Sequence, residues 1–176
     1  MNDYIILLRG INVGGKNRIK MQELISVLQE HGFDKVRTYI QSGNIVLKSK
    51  ELKAEIIART IHKAIEEHFN CDIPVLTFDA GFLERTIENN PTQRDRQELY
   101  YTFLFNHADT TLANAIEGVS KDEDSFKIDG AVVYIDCLAY GKTKFNNNYF
   151  EKKLMSHATT RNYKTLKKLL ELVNGQ

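Results

Sequence analysis

Apolar residues fall into short runs and periodic faces. Tyr4 to Leu8 is an apolar run ended by Arg9-Gly10 and reads as a buried strand. Met21, Leu24, Ile25 and Leu28 recur at i, i+3, i+4 and i+7, one face of a helix that Gly32 is placed to end. Val36, Thr38 and Ile40 alternate with Arg37, Tyr39 and Gln41 as a half-buried strand. Ser42-Gly43-Asn44 turns the chain, and Ile45-Val46-Leu47 resumes as the hairpin partner. A second helix runs from about Leu52 to Phe69, with Ile57, Ile61, Ala64, Ile65 and Phe69 on one face. Pro74 then introduces a strand over Val75 to Phe78. The order βαββαβ predicts a ferredoxin-like split unit, an antiparallel sheet with two helices on one face.

The second half repeats these textures. Phe82, Leu83 and Ile87 predict a short helix, and the polar stretch Glu88 to Glu98 predicts a loop. Tyr100 to Phe105 is an aromatic-rich strand, and Leu112, Ala113 and Ile116 lie on a helix. Phe126 to Ile128 and Ala131 to Cys137 flank Asp129-Gly130, a hairpin signature. Two helices close the chain, about Asn147–Met155 and about Arg161–Val173. The second presents Leu166, Leu169, Leu170 and Val173 as its inner face. The expected fold is α+β, two ferredoxin-like α+β subdomains with antiparallel sheets. Residues 1–79 form the βαββαβ subdomain and residues 80–176 a second one with C-terminal helices.

Composition supports a globular chain. Of 176 residues, 42% are hydrophobic and 27% charged, enough apolar surface for a core and too much for disorder. Two cysteines, Cys71 and Cys137, exclude a disulfide scaffold or a four-cysteine zinc site. The aliphatic run Ile5 to Leu8 is too short for a signal segment or a membrane span. The expectation is a cytoplasmic protein with no membrane partner.

The net charge of +1 hides an asymmetry. Residues 1–50 carry eight Lys/Arg against four acids, residues 51–137 eight against seventeen, and residues 138–176 eight against two. Basic ends of this kind suit an anionic partner, or they pack near an acidic middle.

Gly10-Ile11-Asn12-Val13-Gly14-Gly15-Lys16-Asn17 has the spacing of the phosphate-cradling loop G-x-x-x-x-G-K-[ST], but Asn17 stands where the magnesium-binding hydroxyl is required. The helical pattern also resumes late, near Met21, and an antiparallel sheet is the wrong host. A looser anion-binding loop is one reading, a solvated glycine turn the other. Tyr140-Gly141-Lys142-Thr143 looks like the end of such a loop, yet Asp136 stands where its first glycine would be. Thr159 or Thr160 is expected to cap the last helix, which puts Arg161 and Lys164 in its first turn. Arg18 and Lys20 stand likewise at the mouth of the first helix. Cations there cost about 0.3–1 kcal/mol each unless an anion neutralises them. The five histidines form no HExxH pattern and neither cysteine lies in CxxC, so no metal and no cofactor are expected. A base-stacking RNA reader would need exposed aromatics on the first and third strands, and Tyr4 alone is available.

Leu7-Leu8-Arg9-Gly10-Ile11-Asn12-Val13-Gly14-Gly15-Lys16-Asn17, the segment Val36 to Asn44, the Gly141 turn and Ala158-Thr159-Thr160-Arg161-Asn162 together resemble the bacterial family known as domain of unknown function 1697. The resemblance spans nearly the whole chain. It implies two α+β, ferredoxin-like subdomains and carries no activity, cofactor or catalytic residue. Family members often have Ser where Thr143 stands and Trp where Tyr163 stands.

The functional expectation is a binding module for a phosphorylated or anionic ligand, nucleic acid or nucleotide-like. Its site gathers Arg9, Asn12, Lys16 and Arg18 from the first loop, Gln41, Ser42 and Asn44 from the hairpin, and Thr160, Arg161 and Asn162 from the last helix. Arg9, Lys16 and Arg161 would supply charge, and Asn12, Gln41 and Asn44 directional hydrogen bonds. The alternatives are an enzyme acting on an anionic substrate, whose nearest acids would be Asp3 and Glu23, and a protein-interaction module that self-associates through a sheet edge.

Overall fold

The computed structural model describes residues 1–91, 99–121 and 123–175. The chain is α+β, with two four-stranded antiparallel sheets and six helices among the described residues. It divides into two compact units, one of residues 1–85 and 167–176, the other of residues 86–166.

The first unit runs β1 (Asn2–Leu8), α1 (Met21–Glu30), β2 (Asp34–Tyr39), β3 (Asn44–Ser49), α2 (Ala54–Phe69), β4 (Val75–Asp79) and α3 (Ala80–Glu88), which continues beyond it. Its sheet order is β2-β3-β1-β4. Tyr4, Ile6 and Leu8 pack with Leu24, Leu28, Ile57, Ile61 and Ile65, so α1 and α2 cover one face of the sheet. Ile5 and Leu7, pointing the other way, are fully buried as well. That explains the unbroken apolar run of β1, and it removes the stacking surface an RNA reader would need, since Tyr4 is itself in the core.

Helix α1 ends as its sequence suggests. Gly32 N–H bonds the Gln29 carbonyl and Phe33 N–H the Leu28 carbonyl, the paired bonds of a Schellman close. Strand β2 departs from the expected alternation. Its pairing with β3 shifts register between Asp34 and Arg37, and Ile40 lies beyond the strand, in the turn, 53% exposed with φ 50°. Ile40 therefore contributes no core position. Helix α2 starts at Ala54, two residues later than Leu52, which is 70% exposed.

The second unit runs β5 (Leu99–Leu104), α4 (Thr110–Ile116), β6 (Ser125–Asp129), β7 (Val132–Asp136), α5 (Asn147–Leu154) and β8 (Ala158–Asn162), with sheet order β6-β7-β5-β8. This is the first unit's order again, βαββαβ followed by a helix, α6 (Tyr163–Val173), whose residues from Lys167 onward belong to the first unit. Phe126, Val133, Ile135, Phe145, Phe150 and Leu154 form its core, and the Phe126 and Phe145 rings meet edge to face at 4.8 Å.

Three readings need correction here. Ala158 to Asn162 is a strand paired with β5, so the last helix begins at Tyr163 and not at Arg161. Its N-cap is Asn162, whose Oδ1 accepts from Thr165 N–H at 2.9 Å, and neither Thr159 nor Thr160 caps it. The β6–β7 hairpin turns on Gly130-Ala131, because Asp129 pairs with Val132. Gly130 at φ 57° is the first central residue, the glycine-first pattern of a type II′ turn. The expected loop from Glu88 begins after α3, and residues 92–98 lie outside the described residues.

Tyr134 on β7 pairs with Lys127 and is nearly inaccessible. Burial pushes its phenol up to about 12, with the Asp129 carboxylate and Tyr101 adding to the rise. The folded chain thus holds this proton more tightly than the unfolded one. The stability it contributes is complete below the ordinary value of 10 and is lost as pH rises through about 12. Phenolate absorbance should include a tyrosine that ionises about two pH units after the exposed ones, and Tyr134→Phe should lower the late amplitude by one phenolate.

Candidate functional site

The loop from Gly10 to Asn17 folds on itself. Val13 and Lys16 form a bridge around Gly14-Gly15, Lys16 N–H bonds the Val13 carbonyl, and Asn12 N–H bonds the Asn17 carbonyl. A phosphate-cradling loop keeps such N–H groups for its ligand. Here they close a miniature hairpin, and α1 begins only at Met21, so the Walker-type reading fails on geometry as well as on Asn17.

Asn12 fastens this loop to the β2–β3 turn. Its Nδ2 donates to the Ile19 carbonyl at 2.9 Å and the Gln41 carbonyl at 2.8 Å, and its Oδ1 accepts from Ile19 N–H at 2.9 Å. Both amide hydrogens are thereby committed. Its φ of 54° is a left-handed conformation that asparagine tolerates well. Asn17 Nδ2 likewise closes on the Gly10 carbonyl. The turn is pinned from its other end, where Leu8 N–H bonds the Gly43 carbonyl at 2.8 Å. Asn44 is fully buried, and its Nδ2 donates to the Tyr39 carbonyl and Ser42 Oγ. Two of the three stretches singled out by sequence, the Arg9–Arg18 loop and the Gln41–Asn44 turn, are therefore one braced structure. Asn12, Ser42 and Asn44 brace it.

Between these loops lies a cleft of about 450 Å³ lined by Asn12, Gly15, Arg18, Ile19, Lys20 and Gln41. Arg18, Lys20 and Gln41 are exposed, Lys16 stands exposed on the adjoining loop, and Arg9 is half-buried. The lining holds two cations and no carboxylate or histidine. Asp3 and Glu23, the acids nearest in sequence, are engaged elsewhere, Asp3 with Lys48 at 2.7 Å and Glu23 with His68 at 2.9 Å. Helix α1 has Lys20 at its N-cap, beside the same residues, and the Lys20 side chain makes no capping hydrogen bond to the first-turn N–H groups.

Thr160, Arg161 and Asn162 belong to the second unit, on β8. Thr160 Oγ1 donates to Asn147 Oδ1 at 2.5 Å and accepts from the Tyr140 hydroxyl at 2.9 Å. Its one proton being spent, it also accepts from Thr102 Oγ1 at 2.6 Å. Tyr140 stacks on Tyr100 with ring centroids 4.7 Å apart, and burial raises its hydroxyl above the usual phenol range. Arg161 donates through one nitrogen to Thr159 Oγ1 and to the Thr160 carbonyl. Desolvation pushes its guanidinium down to about 10, which leaves it cationic at neutral pH. Sequence inspection gave no sign of this hydroxyl network, because its members are dispersed from Thr102 to Thr160.

A larger cavity, about 820 Å³, lies in the second unit between α4 and β6. None of its lining residues was a candidate, since neither α4 nor β6 carries a recognisable motif. Among the described residues no three His, Cys, Asp or Glu side chains stand close enough to hold a metal ion. No described helix is long and apolar enough to cross a membrane.

Residues 1–134 match the family described as protein of unknown function (DUF1697). The chain belongs to the DUF1697 family. The conserved bacterial protein SP0830 from Streptococcus pneumoniae has the same fold, with a TM-score of 0.73 and 24% identity over 97% of this chain and 98% of that one. At that identity the likeness speaks to fold alone. No curated protein matches the sequence. The family match covers the first loop and the hairpin, while β8 and α6 lie beyond residue 134.

Proposed function

We propose that this DUF1697 protein is a binding module for a phosphate-bearing ligand, held in the cleft between the Gly10–Asn17 loop and the β2–β3 turn. The supporting observation is the cleft itself, which sets Arg18 and Lys20 around a braced wall with no acid in the lining. The braced backbone needs no ordering on binding, so the cost that offsets the charge-assisted bonds is chiefly the side-chain freedom of Arg18 and Lys20. Lys16 and the first-turn N–H groups of α1 add positive potential. The reading rests on the first unit alone, because Thr160 and Asn162 already spend their hydrogen bonds within the second. With no carboxylate or histidine lining the cleft, binding is favoured over turnover. Cys71 and Cys137 form no disulfide, which accords with a cytoplasmic location.

Calorimetric titration with inorganic pyrophosphate and with a short single-stranded oligonucleotide tests the reading. Arg18→Ala combined with Lys20→Ala should weaken binding of either probe by at least about tenfold and flatten its salt dependence. Binding unchanged by the pair, or absent in the parent chain, overturns the proposal. Pyrophosphate binding without oligonucleotide binding would select a nucleotide-like ligand.

A further inference from the structure

The two sheets differ in what packs beside their first edge strands, β2 and β6. In the first unit α1 packs against edge strand β2, and the Arg37 guanidinium of β2 bonds the Leu172 carbonyl of α6. In the second, edge strand β6 pairs, among the described residues, with β7 alone, and the cavity of about 820 Å³ separates it from α4. Ser125, Phe126, Lys127 and Ile128 all line that cavity. Successive strand residues point to opposite faces, so a cavity that touches four in a row follows the hydrogen-bonding edge of the strand. It exposes a row of backbone N–H and C=O groups that a further strand would satisfy.

The charge pattern of β6 says which strand. Lys127 and Asp129 are exposed, share one face, and have no ion pair among the described residues. Ile128, between them, points to the opposite face with core residue Phe126 and is only half-buried. Consider an antiparallel neighbour of the same sequence, centred on Ile128. It sets Ile128 against Ile128 and Lys127 against Asp129 on both sides of the centre. Centring on Lys127 instead would place two lysines directly opposite, which is destabilising. An exposed lysine alone would guard the edge against pairing. The aspartate two residues on makes the edge self-complementary, as a two-fold interface requires.

We propose that two copies of this chain associate through β6, antiparallel and centred on Ile128, so that two four-stranded sheets become one of eight strands. The contact buries Ile128 and pairs four charges. It is independent of the anion cleft, which lies in the other unit.

Sedimentation equilibrium of the full chain across a wide concentration range is the test. The expected result is a species of twice the 20.3 kDa chain mass. Lys127→Asp sets carboxylates against carboxylates and Asp129→Lys sets ammonium groups against each other, so each should weaken dimerisation by about tenfold. The double variant K127D/D129K restores the complement and should recover the parental affinity. Since both residues are exposed, circular dichroism should show all three variants folded like the parent. A chain monomeric throughout overturns the proposal, and so does a dimer that either single variant leaves intact or a double variant no tighter than the singles. An exogenous peptide that binds the edge of a strictly monomeric chain would assign the groove to a different partner and equally overturn it.

Discussion

Gly43→Ala should destabilise the first unit by about 3 kcal/mol, the sum of an overpacked contact and a left-handed backbone forced on a residue with a side chain. Gly43 has φ 74°, and a Cβ built there lies 2.5 Å from Leu8 Cβ and 3.0 Å from Ile11 Cδ1. Both neighbours are buried with no room to retreat, Leu8 at the end of β1 and Ile11 inside the first loop. The nearest clashing atom is Leu8 Cβ, which alanine retains. A Leu8→Ala background should therefore recover little of the loss, unlike an ordinary overpacking defect. Urea unfolding of the single and double variants reads both quantities. A loss below about 1 kcal/mol would mean that the turn is free to swing away from β1. The same substitution should weaken pyrophosphate binding, since the turn it displaces carries Gln41 at the cleft.

Thr160→Val should cost about 3 kcal/mol, although the side chain changes little in volume. The hydroxyl makes three hydrogen bonds, and its loss strands Thr102 Oγ1 in a fully buried position, the Tyr140 proton and Asn147 Oδ1. Thr160→Ser keeps the oxygen and should stay within about 1 kcal/mol of the parent. Thermal unfolding of the pair separates the two roles this residue could have. A ligand contact would leave stability untouched in both variants, whereas a structural hub loses it in the valine form alone. Tyr140 fluorescence should shift with it, because the phenol loses its acceptor while remaining stacked on Tyr100.

Elements with strong apolar periodicity were legible in the sequence. Residues Met21, Leu24 and Leu28 of α1 are buried as the 3.6-residue spacing requires, and so are Ile57, Ile61, Ala64 and Ile65 of α2. Strand β8 was not legible. Ala158-Thr159-Thr160-Arg161-Asn162 has no apolar alternation, and it is extended because β5 supplies its hydrogen-bond partners. Reading it as a helix start left the second subdomain one strand short of the βαββαβ order, although two subdomains of one kind were expected. The hairpin at Gly130 shows a smaller miss. Asp129-Gly130 marked the turn correctly but not which residue of the pair was central, since pairing with Val132 sets the register.

The candidate residues divide along the same line. Asn12 and Asn44 read in the sequence as directional hydrogen-bonding groups for a ligand, and the folded chain spends their amide hydrogens on its own carbonyls and on Ser42 Oγ. Residue type reveals bonding capacity but not whether the chain itself satisfies it. Arg18 and Gln41 line the cleft, and so does Lys20, which the sequence marked only as a cation at the mouth of the first helix.

Local order came from the sequence by itself: the helices, the hairpins, the α+β class and the family. These depend on periodicity and turn chemistry, which neighbours in the chain determine. Tertiary structure decided the rest: which amides brace a loop and which threonine becomes a hub. Each depends on partners brought from far along the chain, twenty-nine residues away for Asn12 and Gln41, fifty-eight for Thr102 and Thr160. No short-range pattern encodes such a meeting, because the energy that selects it comes from burying the surrounding core.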